Sequence, residues 1–308
     1  MRRRGDDVVG DSRDCYSFQQ IQFLVPSSYQ LVSDSSVVRA GKPASDLFLL
    51  GMLAGAYLAL AGAASTMAAY NLLASPETFG LGRLVAGLIF PCGLILVAIA
   101  GAELFTGNTM MVLPLAQRRI TAFAMFRNWV IVYTANFIGA AAMALLLVFS
   151  GQLTLPPAGL LPSGEPNNLL GALTVTTAAI KCNFTFCEAF ILGIFCNWLV
   201  CLAVWMSISA KDLAGKVLVI FFPICAFVTA GFEHSIANMF FIPAGLFAAH
   251  FNPDFVEIAR DVIGAPVEAL TWRNFFVANL LPVTLGNMLA GCLFVGLVYG
   301  YAHRNNQS

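Results

Sequence analysis

The chain has 308 residues, of which 59% are hydrophobic and 10% charged, and Lys+Arg 16 balances Asp+Glu 16. Soluble domains carry about 25% charged residues, so a soluble globular or disordered chain is excluded, and a net charge of zero offers no basic field for nucleic acid. The 26 glycines and 14 prolines suit a polytopic helical membrane protein, where small residues let helices approach and Pro is tolerated.

Residues 1–44 read as a polar, irregular, cytoplasmic tail. They open on Met1-Arg2-Arg3-Arg4, carry serines around 33–36, and include at most a short amphipathic piece near 21–25. No apolar core follows the arginines closely enough for a signal peptide. The transmembrane domain is expected over 45–302, with 303–308 as a short cytoplasmic end. Apolar segments follow at 47–73, 84–100, 110–116, 123–149, 184–209, 217–229, 236–248 and 275–301. At about 1.5 Å rise per residue, the longest of these cross a hydrocarbon core of about 30 Å with tilt to spare. Twice, a medium run is interrupted by polar residues and followed by a run too short to span alone. Counting each broken pair as one crossing gives six crossings.

Loop charges orient them. With the N-terminus inside, 12 Lys and Arg fall on the cytoplasmic side and four outside, at Arg83, Lys181, Arg260 and Arg273. That asymmetry favours both termini in the cytoplasm of a cell with its chain in the plasma or inner membrane. The eight cysteines (15, 92, 182, 187, 196, 201, 225 and 292) form no C-x-x-C pair and have no His at ligand spacing. They read as small hydrophobes, and no metal or cofactor is expected.

The interruptions are Ala100-Gly-Ala-Glu103-Leu-Phe-Thr-Gly-Asn108 and Ala230-Gly-Phe-Glu233-His-Ser-Ile-Ala-Asn238. Both fit A-G-x-E-x4-N, at a constant offset of 130 residues. Each lies in the second crossing of a three-crossing half, as expected of an inverted repeat whose broken helices meet near the bilayer midplane at a binding site. Glu103 and Glu233 are costly in hydrocarbon unless paired, hydrogen-bonded or protonated. They read either as clamps of the broken backbone or as titrating transport residues, with Asn108 and Asn238 satisfying freed backbone groups. Glu188 has no repeat partner and is assigned to a subunit contact or a loop bond. His234 is the histidine in mid-membrane, at a break and opposite the Thr106 hydroxyl of the other break; its ordinary pKa of about 6.5 suits proton exchange.

Glu103-Leu-Phe-Thr-Gly-Asn108, Cys196-Asn-Trp-Leu-Val-Cys-Leu-Ala-Val-Trp-Met-Ser207, Gly231-Phe-Glu-His-Ser-Ile-Ala-Asn-Met239 and Asn279-Leu-Leu-Pro-Val-Thr-Leu-Gly-Asn287 resemble the formate/nitrite transporter family, over roughly 45–302. The resemblance implies an aquaporin-like all-α fold of six crossings, a homopentamer in the bilayer, and one pore per subunit. It implies passage of small monovalent anions: formate foremost, with nitrite, hydrosulfide or lactate as alternatives, alone or with protons. It also implies Thr106 and His234 as the central pair, Phe90, Leu94 and Phe227 as an outer constriction, and Leu104, Phe105 and Val200 as an inner one. Lys181 matches a vestibule lysine and Asn197 a pore-lining position.

On this reading Lys181 concentrates anions, falling dielectric raises the anion's own pKa, and the acid crosses the apolar ring neutral. The proton comes from water or through His234. Two rival classes compete. A neutral-solute channel would normally show two Asn-Pro-Ala loops, whereas Asn108 and Asn238 precede Thr109 and Met239. A membrane-embedded enzyme built on Glu233 and His234 lacks a nucleophile with a base partner.

Overall fold

A computed structural model describes residues 18–154 and 168–303, with side chains from Ser28 onward. The arginines at 2–4, 13 and 304 lie outside the described residues. Among the described residues all regular structure is helical. Six helices are long and apolar enough to cross a membrane: Ala44–Leu73, Phe79–Ala100, Ala122–Phe149, Phe186–Ser209, Leu213–Ala230 and Trp272–Ala302. Their outward faces carry large apolar side chains such as Leu60, Leu88, Phe126, Val130, Phe195 and Phe222, the composition a lipid-facing surface requires.

The two breaks fall where the A-G-x-E-x4-N motif places them. The second crossing stops at Gly101 and resumes as Phe105–Asn108, a tight turn Thr109–Met111, and Val112–Ala116; the fifth stops at Gly231 and resumes as Ser235–Phe251. Gly101 and Gly231 have φ of 78° and 82°, the left-handed geometry that ends a helix and that glycine adopts without a Cβ penalty. Leu104 (φ −114°, ψ 122°) and His234 (φ −111°, ψ 117°) are then extended and cap the returning helices.

Two helices depart from the sequence reading. Phe18–Gly41 is a 24-residue helix within the supposed irregular tail. Its buried stripe (Ser28, Tyr29, Val32, Ser33, Ser36, Ala40) recurs at helical spacing but is largely polar. Arg119 Nη1 donates to Ser33 Oγ at 2.8 Å, and Gln117 Nε2 donates to the Tyr29 hydroxyl. A helix docked through hydroxyls shows little hydrophobic periodicity. Leu169–Cys182 likewise lies between apolar runs, and its interior threonines return their hydroxyls to the preceding turn, Thr174 to Leu170 O and Thr176 to Ala172 O.

The repeat is therefore a helix plus three crossings, twice over: Phe18–Gly41 leads into Lys42 and the first half, and Leu169–Cys182 carries Lys181 in its last turn before the second. Within the first half, the first and third crossings approach so closely that a Cβ on Gly55 would strike Asn136 O and one on Gly139 would strike Met52 O. In the second, Gly193 meets Val283 O and Gly286 meets Phe190 O in the same way. Glu188 proves to be a local cap. Its carboxylate accepts from Thr185 N at 2.8 Å while Thr185 Oγ1 accepts from Glu188 N, a reciprocal box opening the fourth crossing.

Candidate functional site

Each break leaves backbone groups without helical partners inside the membrane, where an unmet N–H or C=O costs several kcal/mol. Asparagines from the unbroken crossings meet them. Asn136 donates to Gly51 O (2.8 Å) and Glu103 O (2.9 Å) and accepts from Phe105 N (3.0 Å). Asn287 donates to Gly193 O (2.7 Å) and Glu233 O (3.0 Å) and accepts from Ser235 N (2.9 Å).

A second pair holds the glutamates. Glu103 Oε1 accepts from Lys42 Nζ at 2.6 Å and Oε2 from Asn108 Nδ2 at 2.9 Å; Glu233 Oε1 accepts from Lys181 Nζ at 2.6 Å and Oε2 from Asn238 Nδ2 at 2.7 Å. Asn108 and Asn238 also donate to Asn128 Oδ1 (2.9 Å) and Asn279 Oδ1 (2.7 Å). Asn128, Asn136, Asn279 and Asn287 are fully buried. Glu103 and Glu233 thus have both oxygens occupied, the geometry of a clamp.

Two cavities open on either side of this belt. The one on the Lys181 side, outer in the expected orientation and of about 360 Å³, is lined by Arg83, Phe90, Lys181, Phe227, Glu233, His234, Asn238 and Phe241 among others. At its floor Phe90 meets Phe227 edge-to-face at 5.8 Å and Phe241 stacked at 6.2 Å, and Phe227 stacks on His234 at 6.0 Å. The inner cavity, of about 330 Å³, is lined by Arg39, Lys42, Leu94, Glu103, Leu104, Gly107, Val204, Ser207 and Lys216 among others.

Thr106 and His234 lie between the two and touch. Thr106 Oγ1 is 3.0 Å from His234 Nε2, both residues being buried. His234 lines the outer cavity, while Leu104 and Gly107, flanking Thr106, line the inner one. His234 Nδ1 accepts from Ala237 N at 3.1 Å, capping the returning helix. The neutral ring therefore carries its hydrogen on Nε2 and donates it to Thr106 Oγ1, which leaves the threonine O–H free to donate elsewhere. A proton on Nδ1 would turn that acceptor into a donor facing another donor and break the cap.

The structure brings together Thr106 with His234, Phe90 with Phe227, and each glutamate with its asparagine. It does not gather every expected lining residue. Leu94, expected in the outer ring, lines the inner cavity with Leu104. Phe105 lines neither cavity but packs edge-on against Trp129 and Tyr133, at 6.1 and 4.8 Å, because its neighbouring backbone is tied to Asn136. Val200 is buried and lines neither. Asn197 spends its amide on the scaffold, donating to Asn287 O at 2.6 Å and Thr106 O at 3.3 Å.

Sequence reasoning missed Phe241, Val204, Lys42, Arg39, Asn128 and Asn136. For the asparagines a signal existed: N-x7-N occurs at 128/136 and at 279/287, offset by 151 residues in the third and sixth crossings. Lys42 and Arg39 were hidden by the tail reading.

The family model described as formate/nitrite transporter matches residues 26–301. That match includes most of the docked N-terminal helix. A probable formate transporter of Methanothermobacter thermautotrophicus is 40% identical over 265 residues, 85% of this chain and 90% of that protein. The formate channel FocA of Haemophilus influenzae is 39% identical over 270 residues, 87% of this chain and 90% of that protein. Among solved structures, a pentameric formate channel with formate bound superposes with a TM-score of 0.73 at 36% identity, covering 85% of this chain and 98% of that one.

Proposed function

Given that the chain belongs to the formate/nitrite transporter family, we propose that it conducts formate across the membrane as a neutral acid, one pathway per subunit of a homopentamer. The relatives above are transporters and channels rather than enzymes. The observation that carries this reading is the Thr106–His234 hydrogen bond, closing a buried waist between two cavities that each hold more cations than carboxylates.

The cations draw a small anion into either cavity; the waist excludes its charge. A bare carboxylate loses its hydration at the aromatic floor of Phe90, Phe227 and Phe241, at a cost of several kcal/mol. The same low dielectric raises the anion's own pKa, so the proton comes most cheaply from water in the cavity. His234 acts as a neutral polar step: its Nε2–H orients Thr106, and the free Thr106 O–H donates to the passing acid. A proton relayed through His234 would have to break the Ala237 cap. A pathway of this kind is a symport of formate and H⁺, with both termini cytoplasmic in a plasma or inner membrane.

The test is formate flux into proteoliposomes against pH. With an acid pKa near 4 the neutral fraction is about one in a thousand at pH 7 and grows about tenfold for each unit the pH falls. Flux should climb with that slope from pH 7.5 to 5.5, and competition by nitrite, hydrosulfide and lactate ranks the alternatives. Flux independent of pH over that range would refute passage as the acid.

A further inference from the structure

Lys181 and Arg83 both line the outer cavity, but their charges are spent differently. The Lys181 ammonium sits 2.6 Å from Glu233 Oε1, so the pair presents little net field to an arriving anion. Arg83 has no carboxylate within ion-pair distance among the described residues. Its Nε donates to Thr229 O at 3.3 Å and its Nη2 to Val228 O, carbonyls of the last turn before the break at Gly231. Carbonyls steady a cation at a helix C-terminus without cancelling it. A guanidinium carries five N–H groups in a planar fork; two are engaged and three remain. The cavity therefore holds one surplus positive charge, and it belongs to Arg83.

We infer that Arg83, rather than the ion-paired Lys181, is the group that first captures the anion at the outer mouth, receiving a carboxylate or other oxyanion on its unused N–H groups above the aromatic floor. This rests on the anion-pathway reading above. The bond to the carbonyls fixes the guanidinium in place, so little side-chain entropy is lost when the anion arrives.

The experiment compares wild type, R83K, R83Q and T177E in proteoliposomes, measuring half-saturating formate concentration and maximal flux in dilute buffer and in 0.5 M of a bulky sulfonate salt. Thr177 lines the same cavity from another helix, Leu169–Cys182, than the one that supplies the Arg83 carbonyls, so T177E offsets the surplus charge with Arg83 and its acceptors unchanged in sequence. R83Q and T177E should each raise the half-saturating concentration roughly fivefold in dilute buffer, with R83K intermediate, and high salt should shrink the differences. A merely structural Arg83 would instead lower maximal flux and thermal stability, equally at both salts, and leave T177E silent. That pattern, or unchanged half-saturation in folded R83Q, overturns the inference while the pathway stands. If R83Q does not assemble, unchanged half-saturation in T177E overturns it. A wild type that passes no formate would overturn the pathway reading itself.

Discussion

Replacing Lys181 by Met leaves the Glu233 carboxylate, almost fully buried, without its cation. Its other oxygen keeps the Asn238 amide at 2.7 Å and the Asn279 amide at 3.1 Å, which cannot neutralise a charge. Removing one partner of a buried pair costs about 3–5 kcal/mol, which at 2–4 °C per kcal/mol for a chain of this size class lowers the unfolding temperature by roughly 10 °C. The twin site forecasts a different number. Lys42→Met leaves Glu103 with Arg39 Nε at 3.8 Å, and Lys42 itself is more exposed than Lys181, 28% against 17%. Its loss should be roughly half as large. Lys181→Met with Glu233→Gln removes the charge together with its partner and should recover most of the stability. Thermal unfolding of the detergent-purified oligomer, followed by intrinsic fluorescence, reads all three. Equal losses at the two lysines, or no recovery in the double variant, would refute the reading of Lys42–Glu103 and Lys181–Glu233 as buried ion-pair clamps.

Two further predictions concern the breaks. His234→Asn keeps an N-cap acceptor and should assemble within about 0.5 kcal/mol of wild type, yet formate flux should fall roughly tenfold as the bond to Thr106 is lost; flux within twofold of wild type would remove the waist from the mechanism. Gly101→Ala meets open space and only the left-handed φ, costing about 1 kcal/mol, whereas Gly231→Ala also brings a Cβ to 3.0 Å from Arg83 Nη2 and should lower the unfolding temperature further; equal losses would deny Arg83 its place over that break.

What was legible in the sequence follows from what signal each part emits. The crossings emit hydropathy, and the breaks emit a motif because a glycine, a carboxylate and an amide at one repeated spacing are rare in such surroundings. Thr106 and His234 could be paired because each is a polar residue within one of two matching breaks, three residues past Glu103 and one past Glu233. The N-terminal helix emitted little, since among its buried positions only Val32 and Ala40 are aliphatic and much of its contact runs through Ser33, Tyr29 and Arg39. The places of Leu94, on the inner cavity, and Phe105, against Trp129 and Tyr133, were illegible for another reason. On a helix or turn, the residue type does not tell which way a ring or an isobutyl group faces; Phe105 turns to Trp129 because Asn136 holds its amide, a constraint visible only in three dimensions.

The two halves share their clamps but not their chemistry, and the differences fall at the Thr106–His234 contact and around the two cavities. Counting from each glutamate, His234 occupies the register of Leu104, with φ and ψ within about 5°; one copy caps its returning helix with an imidazole, the other leaves the cap bare and presents leucine to the inner cavity. Arg39, three residues before Lys42, donates to Asn108 Oδ1 at 3.3 Å. Ala178 stands in that register before Lys181, and Asn238 Oδ1 is without a partner among the described residues. The inner vestibule thus invests its extra arginine in the clamp, while the outer one carries its arginine on a different helix, Phe79–Ala100, clear of the clamp. A symmetric repeat would place two leucines, or two histidines, at the midplane. This chain has one of each, so in the proposed passage as a neutral acid His234 with Thr106 is the polar step and Leu104 its apolar counterpart.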